Sequence, residues 1–475
     1  MSSIKKNFIY NMVYQLLIII LPLITVPYVS RVLGAKGIGI YSYSYSIVYY
    51  FMMITMLGIN NYGNRTIAQT RDDKKSVSKS FFEIYSIQLI TGIIMLLAYL
   101  LYVVFIVNEY KLIALIQTIF IVSAIFDINW FFFGLEKFKL TVIRSTLLKI
   151  LSLILIFLLV KTKNDVYIYA LILSVSTLIS QLLLLSFLKK EVVFTKIELK
   201  NVKSHVKPCL ILFIPVIAIS LYKIMDKIML GMLTNVTEVG YYEQAEKIIN
   251  IPTGLVTALG IVMLPRISNL VSKGDNKKVF DYMEKSIKFM MFLAFPICFG
   301  LIGISDKFIP IFMGDEFKKT SLLINYLAIT LLFVSFANVI RKQWLVPKER
   351  DKTFTFSVIL GAIVNLIINL LLIPRYKSTG ACIGTIVAEL SVMLYQIIAV
   401  HKELPILKYF KSCIRFFITS IIMFIIIFAI KFINVSDIII VLIQILVGII
   451  VYVLLNIKYI NTLVDIKKIL RRFVK

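Results

Sequence analysis

Long apolar runs are the feature that most restricts how this 475-residue chain can fold. A helix needs about 20 predominantly apolar residues to cross the roughly 30 Å hydrocarbon core of a bilayer, and runs of that length predict about fourteen spans. They cover residues 8–30, 38–62, 81–106, 112–133, 141–160, 166–188, 209–233, 241–264, 286–304, 321–345, 353–374, 380–400, 412–432 and 437–457. Because 60% of the residues are hydrophobic and only 16% are charged, a water-soluble domain is excluded. The sequence predicts an all-α polytopic membrane protein.

The basic residues of the connectors indicate how the chain is oriented. The formal net charge is +27 at pH 7, but the cations alternate with apolar runs and form no basic–aromatic groove, so we predict no nucleic-acid partner. When the amino terminus is placed inside, the inner connectors carry roughly three times as many Lys and Arg residues as the outer ones. We therefore expect a multi-pass protein of the bacterial plasma membrane with both termini in the cytoplasm.

Two neighbouring spans, the seventh and the eighth, contain charges within their apolar runs. These residues are Lys223, Asp226, Lys227, Glu243, Glu246 and Lys247. An ionised residue at the membrane centre costs about 2.5–3.5 kcal/mol, so such charges need water or partners. At ~100° per residue each set falls on one face of its helix, which predicts two polar stripes that face a water-filled cavity and bind substrate. An ion-pair network that holds the two helices in register is the alternative.

A short motif occurs twice in the chain, six spans apart. The first copy is Leu33-Gly34 followed by Gly37-Ile38-Gly39-Ile40-Tyr41, and the second is Leu230-Gly231 followed by Val239-Gly240-Tyr241-Tyr242. An even number of intervening spans gives both halves the same orientation, which predicts two six-helix lobes in a parallel pseudo-twofold repeat, with the substrate site between them. Two C-terminal helices follow. The predicted domains are 1–190, 191–403 and 404–475.

Polar residues elsewhere in the spans give further candidates. Asn11 and Gln15 form a polar stripe on span one, the counterpart of span seven, and with Arg31 they join the candidate substrate-binding residues. Asp127 and Glu389 are isolated intramembrane acids. Each is a candidate for coupling to a proton or sodium ion, although a carboxylate bonded to a neighbouring helix explains each equally well.

Span five carries two cations. Arg144 and Lys149 lie near the predicted inner boundary, where a long basic side chain commonly extends to the membrane surface. They are the second choice, after the span-seven lysines, for binding an anion within the membrane.

No group of residues has the spacing of a catalytic or metal site. The two histidines, His205 and His401, have no obvious nucleophile or metal partner, and the four cysteines are far apart. We therefore predict neither enzymatic activity nor a metal or other cofactor.

Several stretches stand in an order and spacing that together are fairly specific for one family. They are 31–41, 57–65, 126–136, and 226–231 followed by 240–247. They resemble the Wzx-type polysaccharide flippases of the multidrug/oligosaccharidyl-lipid/polysaccharide (MOP) exporter superfamily, and the resemblance covers nearly the whole chain. It implies a V-shaped pair of six-helix lobes plus two extra helices. It also implies that an undecaprenyl-diphosphate-linked oligosaccharide is moved from the inner to the outer leaflet.

The leading hypothesis is thus a flippase that works by alternating access on a precursor of capsule, O-antigen or teichoic acid. Lys223 and Lys227, one helical turn apart, are predicted to bracket the diphosphate. A multidrug antiporter of the same superfamily is the alternative, and a membrane polysaccharide polymerase is less favoured, because the lysines repel cationic drugs and the outer connectors are short. Expected partners are the lipid-linked glycan, membrane lipids, and the polysaccharide polymerase and chain-length machinery. The candidate driving forces are membrane potential, protons and sodium ions.

Overall fold

The computed structural model describes residues 3–195 and 198–462, and the regular elements within those ranges are helices. In chain order the α-helices are α1 (Ser3–Met56), α2 (Ile59–Thr70), α3 (Lys74–Phe105), α4 (Lys111–Ile125), α5 (Asn129–Gly134), α6 (Phe138–Leu159), α7 (Val166–Glu191), α8 (Leu199–Leu233), α9 (Val236–Ser272), α10 (Asn276–Met313), α11 (Lys318–Ala328), α12 (Thr330–Ile340), α13 (Asp351–Tyr376), α14 (Ser378–Val400), α15 (Ile406–Ile430) and α16 (Asp437–Leu455). Each predicted span overlaps one or two of these helices, so the predicted all-α membrane architecture is confirmed. Within the described ranges, ten helical stretches are long and apolar enough to cross a membrane.

The helices differ from the predicted spans at four places, one of which is the break in span two at Leu57-Gly58, between α1 and α2. Spans one and two run together as α1, which Gly34 interrupts with a φ of 66° and a ψ of 176°. Span four is divided into α4 and α5, and span ten into α11 and α12. A hydropathy profile does not show the breaks in spans four and ten, because the run of residues on both sides of each break stays apolar.

The chain divides into two compact units, Met1–Glu243 and Gln244–Lys475. In the first unit α1 packs against α3, α4 and α6, and a core of aromatic side chains that includes Phe81, Trp130 and Phe131 fills the space beside α2 and α3. Helix α8 also packs on α1, α2 and α3, which is why this unit extends beyond the predicted domain boundary at residue 190. The domain prediction itself stays a prediction, since compactness alone does not identify the bodies that move.

Polar contacts fix the first half of α8 within this unit. The His205 Nδ1 atom lies 2.6 Å from the Tyr62 hydroxyl, and its Nε2 atom lies 3.1 Å from Glu83 Oε2. The side chains of His205 and Glu83 are only 14% and 6% exposed. Beside them, Gly58 has a φ of 76°, and a Cβ there would lie 2.6 Å from the carbonyl oxygen of Cys209. Helix α8 therefore approaches the start of α2 at backbone distance and contacts α3 through side chains.

The second unit is built around α10. This helix packs against α11, α12, α15 and α16, while α13 packs chiefly against α14. Its core combines methionines of α10, such as Met290, with Phe336, Trp344 and Tyr409 from α12, the segment after it and α15. The two C-terminal helices, α15 and α16, are thus part of the packed second unit.

The two copies of the repeated motif meet within the first unit. A Cβ on Gly39 would lie 1.7 Å from the carbonyl oxygen of Val236, and one on Gly240 would lie 2.0 Å from that of Ala35. Backbone atoms already occupy that space, so only glycine fits at either position. The repeated glycines therefore let α1 and the start of α9 touch without intervening side chains.

Substituting Gly39 tests this contact. We expect Gly39→Ala to lower the free energy of unfolding by about 1–3 kcal/mol, because the added methyl group forces the two helices apart. Denaturant unfolding of the purified protein in detergent measures the change. Gly300→Ala in α10 is the control, since its Cβ would meet only the Met423 Cε atom at 3.9 Å. Equal stability of the Gly39 variant and the wild type would contradict the close approach.

Candidate functional site

A cavity of about 550 Å³ lies inside the first unit, between α1, α6 and α7. Its size falls within the range of about 300–1,000 Å³ that small-molecule sites usually have. The hydroxyl-bearing residues that line it are Thr25, Tyr41, Tyr45, Ser145, Ser152, Ser176, Thr177 and Ser180. Arg144 and Lys149 also line it, and none of the described lining residues carries a carboxylate. The cavity is therefore suited to a ligand that has negative charge and many hydrogen-bonding groups.

Arg144 is held in a fixed orientation at the wall of this cavity. The residue is 8% exposed. Its guanidinium donates to the Ser180 carbonyl, to Gln181 Oε1 at 3.2 Å and to Asn129 Oδ1 at 2.9 Å. These acceptors come from α7 and α5, so two neighbouring helices position a cation that α6 carries. The position of Arg144 on span five predicted that its side chain extends to the membrane surface. Oxygen atoms of α7 and α5 instead hold the guanidinium inside the unit.

The break between α4 and α5 supplies a second polar network. Asp127 Oδ1 accepts hydrogen bonds from the Asn129 backbone N–H at 3.0 Å and from its Nδ2 at 2.7 Å. Gln88 on α3 donates through Nε2 to the carbonyl oxygens of Ala124 at 2.8 Å and Asp127 at 2.9 Å, and accepts from Trp130 Nε1 at 3.0 Å. The network thereby satisfies backbone groups that the broken helix leaves open.

Asp127 also lines a second cavity. This space of about 260 Å³ shares Thr177 and Gln181 with the larger cavity. Asn129 donates to Gln181 Oε1 at 3.2 Å and to Asp127 Oδ1, and accepts from Arg144, so it links the Asp127 carboxylate to the Arg144 guanidinium. The assignment of Asp127 to ion coupling stays a prediction, since the geometry fits both an ion site and a structural carboxylate.

Charged residues of spans seven and eight come together where the two helices meet. Lys227 Nζ lies 2.9 Å from Glu243 Oε2, and these side chains are 10% and 14% exposed. The Tyr242 hydroxyl donates to Asp226 Oδ2 at 2.6 Å. The charges of Lys227 and Glu243 act on the hydroxyl of Tyr45, which lines the larger cavity. The predicted stripes thus form an ion pair near the cavity, a geometry that serves either of the two interpretations of the sequence.

The other candidate residues differ in how deeply they are buried. Arg31 and Lys223 are exposed. Glu246, Lys247 and Glu389 are partly buried and belong to the second unit.

Two further candidates, Asn11 and Gln15, lie on α1, and their side chains are outside the described part of the structure. The sequence ranked Arg144 and Lys149 below the lysines of span seven, although both line the cavity. The sequence feature that indicates their role is the presence of these two cations with Ser145 and Ser152 on one apolar span.

Comparison with known proteins places the chain in a family. Residues 4–271 match the family of polysaccharide biosynthesis proteins, and residues 212–371 match the MatE family. A putative O-antigen transporter of Escherichia coli K12 is 26% identical over 392 residues, which are 82% of this chain and 94% of that protein. A putative O-antigen transporter of Shigella dysenteriae is 25% identical over 403 residues, which are 83% of this chain and 100% of that protein.

A solved structure shares the fold. The structure of the lipid II flippase MurJ in an inward closed conformation superposes with a TM-score of 0.78 at 19% identity, covering 96% of this chain and 99% of that one. The family match spans more than half of the sequence and includes the repeated motif, α6 and the cavity. The resemblance predicted from the sequence is thereby confirmed, and the chain belongs to the polysaccharide biosynthesis protein family of the MOP exporter superfamily.

Proposed function

We propose that this protein is a flippase that moves an undecaprenyl-diphosphate-linked oligosaccharide from the inner to the outer leaflet of the bacterial plasma membrane by alternating access. The observation that carries the proposal is the cavity that Arg144 and Lys149 line inside a membrane-spanning unit. Relatives described as O-antigen transporters, together with the fold shared with a lipid II flippase, support the same substrate class. The precursor serves capsule, O-antigen or teichoic acid.

The diphosphate is the part of the substrate that most needs the protein. Moving an ionised group through hydrocarbon unaided costs many kcal/mol, so a counter-charge within the membrane is required. Arg144 supplies a planar set of donors that suits phosphate oxygens, and Lys149 supplies a second positive charge on the same helix. We assign the diphosphate to these two residues.

The glycan is assigned to the hydroxyl-bearing wall of the cavity. Serine and threonine hydroxyls both donate and accept, as sugar hydroxyls do. Tyr41 and Tyr45 stack on each other with ring centroids 5.8 Å apart and present faces against which a sugar ring packs. This wall selects a polar ligand but does not identify the sugars.

A multidrug antiporter is the second candidate, since residues 212–371 match the MatE family. A cavity lined by Arg144 and Lys149 repels organic cations, which makes this function less suited to the site. A membrane polymerase is less favoured still. The proposed reaction makes and breaks no covalent bond, so we do not assign an enzymatic activity.

Membrane potential is one source of driving force. A potential that is negative inside favours outward movement of an anion by about 2.3 kcal/mol per charge per 100 mV. Asp127 and Glu389 remain the candidates for coupling to a proton or sodium ion. The polysaccharide polymerase and chain-length machinery are the proposed partners downstream.

Neutralising the cavity cations tests the proposal. We expect Arg144→Gln and Lys149→Gln each to slow flipping about ten- to hundredfold, since a hydrogen bond to a charged group contributes about 1.5–3 kcal/mol. The assay follows a fluorescent undecaprenyl-diphosphate oligosaccharide in proteoliposomes. Lys139→Gln is the matched control, because Lys139 is an exposed residue of the same helix and does not line the cavity.

Variants of the α8 lysines test the alternative site for the diphosphate. If Lys223→Ala and Lys227→Ala abolish flipping while both cavity variants run at the wild-type rate, the diphosphate binds at the α8 lysines. The assignment to Arg144 and Lys149 is then wrong. Drug efflux without sugar flipping by the wild type would instead overturn the flippase proposal itself.

The proposed topology has its own test. With both termini in the cytoplasm, Thr237 at the start of α9 faces outward and Ser204 near the start of α8 faces inward. In a protein without the four native cysteines, which are all buried, Thr237→Cys should react with an impermeant maleimide in whole cells and Ser204→Cys should not. The reverse pattern would invert the orientation.

A further inference from the structure

An irregular turn ends α12 in the second unit. Residues Arg341–Leu345 form a π-helical segment directly after Ile340. A π-turn inserts one extra residue into the helical path and is often found at functional sites, because it presents side chains in directions that a regular α-helix does not. Here it presents two adjacent cations, Arg341 and Lys342, at the end of a candidate membrane span.

Arg341 is positioned by neighbouring helices. Its Nη2 atom donates to Asn338 Oδ1 at 3.0 Å, and Asn338 Nδ2 donates to the carbonyl oxygen of Val256 on α9 at 3.1 Å. The guanidinium also lies 5.4 Å from the centroid of the Phe354 ring on α13. Among the described residues, the buried Nε atom of Arg341 finds no hydrogen-bond partner. The side chain is thus fixed while one donor stays unused.

The charge of this turn is not balanced by the protein around it. Arg341 and Lys342 are both partly buried, and their charges are close enough to act on each other. In residues 3–195 and 198–462, no carboxylate forms an ion pair with either cation. The nearby Glu403 is already engaged, since it lies 2.5 Å from Arg350 and accepts from Trp344 Nε1 at 3.0 Å. Two adjacent cations removed partly from water are destabilising unless an anion joins them.

We propose that Arg341 and Lys342 form a binding site for the phosphate group of a membrane lipid. The pair lies at the end of a span, on the predicted cytoplasmic side of the membrane. The end of a span lies at the depth of the lipid phosphate groups. The Nη groups of Arg341 and the Lys342 ammonium together match the oxygens of a phosphate. A bulk anionic phospholipid and a polyprenyl diphosphate carry this same chemistry. The site does not depend on the proposed function, because the phospholipid alone would occupy it.

Binding of two soluble probes to the purified full-length protein in detergent tests the proposal. The probes are dioctanoyl phosphatidylglycerol and farnesyl diphosphate, each titrated by calorimetry. We expect the Arg341→Gln/Lys342→Gln variant to weaken the binding of at least one probe tenfold or more. The exchange Arg341→Lys/Lys342→Arg keeps both charges but removes the positioned guanidinium, so it should weaken binding less than the double glutamine variant does. Lys352→Gln, an exposed residue at the start of α13, should leave it unchanged.

The two probes distinguish the sources of the phosphate. Loss of phosphatidylglycerol binding supports a site for bulk lipid, and loss of farnesyl diphosphate binding supports a site for the polyprenyl substrate. Titrating the same probes into Arg144→Gln/Lys149→Gln protein separates this site from the cavity, so failure of one proposal leaves the other testable. If the Arg341→Gln/Lys342→Gln variant unfolds like the wild type and binds both probes with unchanged affinity, the inference is wrong.

Discussion

The cost of removing charge from water is the constraint on which the rest of this structure depends. Inside a bilayer each charged or backbone polar group needs a partner, which the protein, water in a cavity or a bound ligand can supply. The first unit meets this requirement in three ways: Lys227 pairs with Glu243, the oxygens around Arg144 hold its guanidinium, and Gln88 bonds the carbonyls that the break after α4 leaves open. Each solution joins two or more helices. The polar and charged residues that raise the free energy of inserting these helices into the membrane are therefore also the ones that fix how the helices pack.

Close contact between helix backbones also holds the first unit together. Between helices in a membrane there is little hydrophobic driving force, so small residues that allow close approach contribute most to packing. Gly39 and Gly240 bring α1 and the start of α9 together, and they come from the two copies of the repeated motif. The sequence repeat is thus also a structural contact. The same region carries Tyr242 and Glu243, so the contact that packs the unit also positions the polar residues beside its cavity.

Much of the fold could be predicted from the sequence, and the site less so. The spans follow from apolar length, which a single chain displays directly, whereas the break at Gly34 and the π-turn at Arg341 leave hydropathy unchanged. An ion-pair network, with Lys223 and Asp226 as the example, was one of two interpretations that helical periodicity allowed, and the structure shows Lys227 paired with Glu243. The place of Arg144 depended on Ser180 and Gln181, which are about 36 residues away in sequence and reach it only through the packing of α6 on α7.

The most direct test of the central claim asks where the substrate head group lies. A substrate analogue with a diazirine on the sugar next to the diphosphate can be photolysed in proteoliposomes, and the modified residues can be mapped by mass spectrometry. We predict adducts on cavity-facing residues such as Leu153 of α6 and Ser176 of α7. Leu147, which lies on the same α6 helix but is 62% exposed, should remain unmodified. Adducts confined to Leu147 and similar outward-facing residues, or to the second unit, would contradict the account.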